Sequence, residues 1–427
     1  MRVALLLAAV CVPLPLRAQA AEPLTSRLDA FLHAWADLGY LSGNVLVGRG
    51  DSVLYQRAFG LANREHGVPF TGTTRSNIAS ITKPMTIVVA ARLVDEGKLR
   101  PEQTLADFIP DFPRGDVITV SQLLNHRAGI PHRVTRPEEE TVPRTAADMV
   151  ELAKRVPLLF EPGTESVYSS GGYSVLARVL EIAGGQPYER LLDRYLFAPT
   201  GMAHSAHVDA RTVLPERAAP YQWGPEGLVN SPFEDLSYLV GAGSVYSTAG
   251  DLFRMMRGLV NGSLGATARQ ELVRESGLSW NGATSGFRAF ADWSAATDVT
   301  VILTANVVSG ANDLIRRDVP RIVAGEVVPA PSVPSVAVAA VSEDALRRYE
   351  GSYEFRPRSP MDVRVAFGGL LVDQWYLVPT SDTSFFSPQD FGTVTAVFGP
   401  DGAVQRFDWV SAGGAIAMTR VGPRVTR

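Results

Sequence analysis

The chain has almost no cysteine and little lysine. Of its 427 residues, one is cysteine, Cys11. It lies inside an apolar N-terminal run, so disulfides, thiol catalysis and cysteine-held metal are excluded for the chain that follows. The fold must rest on core packing instead. Only three residues are lysine, namely Lys83, Lys98 and Lys154, and the remaining basic residues are arginine. That matters chemically, because a lysine can give up its proton inside a protein and an arginine cannot. Long hydrophobic runs are also missing: after the N-terminus no stretch would span a bilayer. There is no basic run or aromatic–basic stripe, so no nucleic-acid partner is expected. The net charge of −4 says little about partners. His204 and His207 lie three apart without a His-Glu-x-x-His signature and read as surface or cap residues. There is no phosphate loop and no dinucleotide fingerprint. Neither a cofactor nor a metal is expected.

The N-terminal run itself reads as a secretory signal over residues 1–20. Arg2 supplies the positive start, Val3 to Leu16 the apolar core, and Ala18-Gln19-Ala20 a small-x-small cleavage site. A retained N-terminal anchor is the alternative. The signal predicts a secreted or periplasmic protein whose mature chain begins near Ala21.

The rest divides in three: 21–326, a linker over 327–340 and a second unit over 341–427. Leu28, Phe31, Leu32, Trp35 and Leu38 recur at helical spacing, and a hairpin pattern follows from Gly43 to Phe59, turning at residues 48–51. From about residue 83 to 202 the pattern is helical throughout. Phe287 to Trp293 and Val299 to Asn306 read as strands, and Ala311 to Ala324 as a closing helix. The expected architecture is thus α/β (α+β): an antiparallel sheet flanked by helices, with strands from both ends and an all-helical lobe inserted between them. Residues 136–144, acidic and proline-bearing, read as a surface excursion. Val327 to Ala340 is rich in proline, valine and alanine. Beyond it, short alternating runs meet Gly and Asp turns, which predicts a small antiparallel β-barrel or sandwich.

The stretch on which function turns is Ile78-Ala79-Ser80-Ile81-Thr82-Lys83-Pro84. Small and polar residues precede an apolar helical segment, so Ser80 falls at a helix start with Lys83 one turn along the same face. A serine hydroxyl is a weak nucleophile until a base takes its proton. A buried lysine can be that base, and the helix start offers N–H groups to an oxyanion. Ser-x-x-Lys alone also fits a solvated helix face. Yet one of only three lysines stands three residues after a serine at a helix start.

Further stretches sharpen the reading. They are the lead-in Thr74 to Ser80, Leu123-Leu124-Asn125-His126-Arg127-Ala128-Gly129, Glu161-Pro162-Gly163-Thr164 before Tyr168-Ser169-Ser170, Gly241-Ala242-Gly243 before a helix, and Trp280-Asn281-Gly282. Taken in order, they resemble the serine β-lactamase and penicillin-binding-protein superfamily, in particular its class C-like branch with esterases and D-aminopeptidases, over residues 25–325. The resemblance implies a β-lactamase/transpeptidase-like fold, Ser80 as acylated nucleophile, Lys83 as its proton partner and Tyr168 as acid or base. It implies substrate contacts from Ser170, Trp280, Asn281 and Gly282, and an oxyanion hole from the N–H groups of Ser80 and Ala283. Two positions depart from the family pattern: Ser170 stands where an asparagine is usual, and Trp280 where a lysine or histidine is usual. Tryptophan carries no charge, which disfavours substrates recognised through a carboxylate. Trp280 packed as a core residue is the alternative. The segment from Asp251 to Trp280 is short for the family, which predicts a lost edge strand or pocket wall. The C-terminal unit resembles the lipocalin-like barrels appended to this branch, through Tyr349-Glu350-Gly351-Ser352-Tyr353 and Ile416 to Val421.

The expectation is an exported serine hydrolase working through an acyl-enzyme, with a small ester as first substrate and a β-lactam or D-peptide as second. A degenerate, non-catalytic binder of cell-wall fragments or penicillin is the alternative of another class. There is no Gly-x-Ser-x-Gly, so a strand–turn–helix nucleophile elbow has no support.

Overall fold

The structure is a computed structural model and describes residues 22–423 except 225, 356, 357, 359 and 374. The expected secretory signal lies outside the described residues. At the centre is a five-stranded antiparallel sheet. In spatial order its strands are Gly277–Thr284, Phe287–Ser294, Val299–Ala305, Gly43–Arg49 and Ser52–Phe59. The N-terminal hairpin and the C-terminal strands meet where Val45 pairs with Leu303. Strands from both ends of the unit therefore close one sheet, as the sequence pattern predicts.

One face is covered by two helices. Leu24–Asp37 buries Leu28, Phe31, Leu32 and Trp35 at helical spacing, and Gly310–Val323 buries Ile315, Val319 and Ile322 beside it. Each such side chain contributes about 1.5–3 kcal/mol when fully buried. The other face carries the helix Ala249–Val260 and the helical lobe, whose core runs through Val88, Val89, Val175, Leu176 and Leu180. No strand occurs between Asn77 and Ala206, so the lobe is all-helical as expected.

The sheet corrects one expectation. The segment 251–280 has lost no edge strand: the chain leaves the helix Ala266–Leu272 and enters the edge strand at Gly277. Residues 136–144 are not wholly a surface excursion either. Glu140 is 4 % exposed, accepts a hydrogen bond from Thr135 Oγ1 at 2.6 Å and pairs with Arg133 at 3.2 Å. A buried carboxylate needs such partners, and they pull this loop inward.

No helix or strand occurs between Val323 and Glu343, but the segment is not free of the body: Val328 and Val333 pack on the sheet's lower cluster. Eight strands, from Gly351–Glu354 to Gly414–Gly422, then form a closed barrel. Closure removes the sheet edges. Its core is filled by Tyr349, Tyr353, Phe385, Phe407 and Trp409. The barrel docks on the sheet unit through Phe391, whose ring lies 5.0 Å from that of Tyr40 and 6.0 Å from that of Trp35. Gly310 makes room for it, since a Cβ there would stand 2.3 Å from the Phe391 ring. Among the described residues no helix is long and apolar enough to cross a membrane.

Candidate active site

Ser80 sits in a single 3-10 turn, Ala79–Ile81, which runs directly into the helix Thr82–Asp95. The residue before it, Ala79, has φ +47°. A residue with a Cβ rarely adopts that conformation, so the turn must be held by its surroundings. Asn77 holds it. Its Oδ1 accepts from Ala79 N–H at 3.0 Å, and its Nδ2 donates to the carbonyls of Gly243 and Val245 at 2.9 and 3.2 Å.

Lys83 lies one helical turn on and is buried, with 4 % exposed. Its Nζ is 3.3 Å from Ser80 Oγ, 3.1 Å from Ser170 Oγ and 3.0 Å from the carbonyl of Ala242. No carboxylate is among these partners. Burial without a counter-charge penalises the ammonium, and the pKa falls from 10.5 to about 7. Tyr168, at the entry to the helix Ser170–Gly184, donates from its phenol to Ser80 Oγ at 2.9 Å. The Lys83 amine also lies 4.6 Å from the centre of the Tyr168 ring.

The segment 241–245 supports this cluster with consecutive carbonyls. Gly241 accepts from Thr86 Oγ1 at 2.6 Å, Ala242 from Lys83, and Gly243 from Asn77. Gly241, at φ +74°, lies so close to the lobe that a Cβ would stand 2.6 Å from the carbonyl of Tyr173.

On the opposite wall runs the edge strand Gly277–Thr284. Gly282 is pressed against the serine turn: a Cβ there would stand 2.6 Å from the carbonyl oxygen of Ile78 and 2.7 Å from Ser80 N. Ala283 follows and is exposed, as is Asn281. Trp280 is half-buried. It packs on the lobe's core and lines a cleft of about 1140 Å³ whose wall sets Ile87, Leu124, Leu272 and Trp293 beside the charged Arg288 and Arg316. It is thus partly core and partly wall. Ser170 is 6 % exposed and turned to the lysine rather than to the open cleft; sequence reasoning expected a substrate contact there.

Two histidines that sequence reasoning did not place here flank Tyr168. His126 ends the helix Val120–Leu124 with φ +58°, and its Nδ1 accepts from Ser169 N–H at 3.2 Å. Its ring lies 4.7 Å from that of Tyr168. Burial, then the Lys83 charge, hold its pKa down at about 4, so the imidazole stays neutral. With Nδ1 accepting, the proton resides on Nε2. The His132 ring lies 5.4 Å from that of Tyr168. Neither signal was legible locally, because both depend on the fold bringing residues 126–132 beside 168. Elsewhere, His207 is half-buried rather than on the surface, with Nδ1 2.8 Å from Ser244 Oγ. Among the described residues no cluster suits a metal ion.

The β-lactamase family model matches residues 28–316. Esterase EstB of Burkholderia gladioli is 30% identical over 281 residues, spanning 56% of this chain and 71% of its own. A penicillin-binding protein from Bacillus halodurans has a solved structure that covers 69% of this chain and 98% of its own, with a TM-score of 0.59 and 25% identity. The structure of SurE covers 93% of this chain and 99% of its own, barrel included, with a TM-score of 0.61 and 21% identity.

Proposed function

The chain belongs to the β-lactamase family, whose members are serine hydrolases acting through an acyl-enzyme, and from that premise we propose that it is an esterase with Ser80 as its nucleophile. The observation that carries this reading is the lysine. Lys83 is buried, has no carboxylate partner, stands 3.3 Å from Ser80 Oγ and has a pKa of about 7. Near neutrality a large fraction of it is the free amine that a serine needs as base.

In the proposed cycle, Ser80 Oγ attacks the ester carbonyl as its proton passes to Lys83 Nζ. The C=O π electrons move to the carbonyl oxygen, and the N–H groups of Ser80 and Ala283 stabilise that oxyanion. Collapse restores the carbonyl and expels the alkoxide, which takes the proton from Lys83 through the Tyr168 phenol. Water then attacks the acyl-enzyme and gives a proton to the same base; collapse breaks the acyl–Oγ bond, releases the acid and returns that proton to Ser80 Oγ. Ser170 keeps the amine oriented.

The choice of esters rests on Trp280. The edge strand Gly277–Thr284 itself carries no cation, and the cleft beside it sets Ile87, Leu124, Leu272 and Trp293 next to Arg274, Arg288 and Arg316. The apolar side chains of that wall suit an apolar acyl or alcohol group. We also propose export by the signal at residues 1–20. The units proposed are a catalytic one over 21–326, a connector over 327–340 and a lipocalin-like barrel over 341–427.

A fluorophosphonate probe with mass spectrometry tests the nucleophile: an adduct on Ser80, absent in Ser80→Ala, is expected. Turnover of p-nitrophenyl butyrate against nitrocefin tests the substrate class. A strong preference for nitrocefin would replace the ester reading by a β-lactam one.

A further inference from the structure

The proposed oxyanion donors come from segments about two hundred residues apart in the chain, Ser80 on the turn and Ala283 on the edge strand. Their spacing must hold within a few tenths of an ångström, because donors act at 2.7–3.1 Å or so from the oxyanion. Nothing in the primary structure holds them at that distance. One side chain touches the neighbours of both. Asn77 Oδ1 accepts from Ala79 N–H at 3.0 Å and from Thr284 Oγ1 at 3.0 Å. Ala79 immediately precedes Ser80, and Thr284 immediately follows Ala283.

We propose that Asn77 and Thr284 form a clamp that sets the distance between the two oxyanion donors. The inference rests on Ser80 being the nucleophile. Both partners are fixed by burial, Asn77 being fully buried and Thr284 9 % exposed. The amide's other end is anchored at Gly243 and Val245, on the same segment whose Ala242 carbonyl holds Lys83. Base, nucleophile turn and edge strand are thereby tied to one backbone reference. The amide suits this position because its oxygen accepts two hydrogen bonds while its nitrogen donates two. A carboxylate would accept but could not donate to the carbonyls of residues 243 and 245. The left-handed Ala79 explains why a clamp is needed: without the bond to its N–H, that turn would relax and carry the Ser80 N–H away.

Thr284 is the better handle, since it contacts the clamp through one hydroxyl and leaves the turn's own bonds intact. Neither residue touches the reacting atoms, so both are positioning residues. The test compares Thr284→Val, which keeps shape but not the hydroxyl, with Thr284→Ser, which keeps the hydroxyl. The full chain is used, reading fluorophosphonate labelling rate, kcat and KM on p-nitrophenyl butyrate, and Tm. Thr284→Val should lower the labelling rate and kcat by about tenfold with KM nearly unchanged, as expected when a transition-state donor is misplaced rather than lost. Thr284→Ser should recover most of both rates. A Thr284→Val enzyme that labels and turns over like the parent would overturn the clamp, as would equal slowing in the valine and serine variants. If the parent carries no adduct on Ser80, the nucleophile reading fails first and takes the clamp with it.

Discussion

Replacing Lys83 by methionine should abolish turnover and stabilise the protein, most strongly at low pH. The amine's pKa is about 7 in the folded chain against 10.5 for the ordinary value. Between those two pH values the unfolded state binds more protons than the folded state, so the stability of the parent rises with pH. Below about pH 7 both states are protonated and the full penalty applies. A shift of this size corresponds to about 4–5 kcal/mol, at 1.36 kcal/mol per unit. Methionine has a similar length and no charge, so it escapes the penalty. It leaves the Ala242 carbonyl and Ser170 hydroxyl without their partner, which costs about 1–3 kcal/mol. That cost does not depend on pH, whereas the charge term does. The stability gap between variant and parent should therefore shrink by about 2.5 kcal/mol from pH 6 to pH 9. Denaturant midpoints and slopes for the two proteins at about pH 6, 7.5 and 9 measure it. A gap that stays constant over that range would refute the claim that this amine is desolvated, and the case for Lys83 as base would go with it.

The pH profile of acylation follows from the same group: kcat/KM for an ester should rise as pH increases through about 7 and then level, because the free amine is the active form. Ser170→Ala removes one acceptor that favours the ammonium, so this rise should move to lower pH, which initial rates across a buffer series would detect. Tyr168→Phe keeps the ring beside His126 but loses the hydroxyl 2.9 Å from Ser80, and kcat should drop by about a hundredfold with little change in Tm. Gly282→Ala puts a methyl 2.6 Å from one backbone atom and 2.7 Å from another in the serine turn. It should remove fluorophosphonate labelling even where circular dichroism shows a folded chain.

Much of this was legible in the chain because the signals were local. The Ser80–Lys83 pair lies within one helical turn, and a pairing at that spacing is fixed by the helix itself. The first outer helix declared itself through Leu28, Phe31, Leu32 and Trp35, and the hairpin Gly43–Phe59 through its turn at residues 48–51. The barrel was read from short alternating runs at Gly and Asp turns, and among the strands missed are Gly369–Val372 and Ser384–Ser387. Both are four residues long and almost wholly buried, so no alternation marks them. Glu140 was read as surface because charge normally means exposure; only its fold-dependent partners Thr135 and Arg133 make burial tolerable.

What the residue types could not disclose is the state of the amine, and that state follows from counting donors and acceptors. A free amine has two N–H bonds and one lone pair. Around Lys83 Nζ the Ala242 carbonyl can only accept, and the Ser170 hydroxyl, 3.1 Å away, can accept as well. With both N–H bonds so used, the lone pair is left for the proton of the Ser80 hydroxyl at 3.3 Å. The ammonium form also has three partners, but it must place a charge in a site that offers no carboxylate, and burial makes that expensive. Serine in place of the amide usual at position 170 preserves this count, because a hydroxyl accepts as an amide oxygen does. In the proposed cycle that departure leaves the amine its acceptor. In the proposed function the departure at Trp280 bears instead on what meets the edge strand, and it leaves the base untouched.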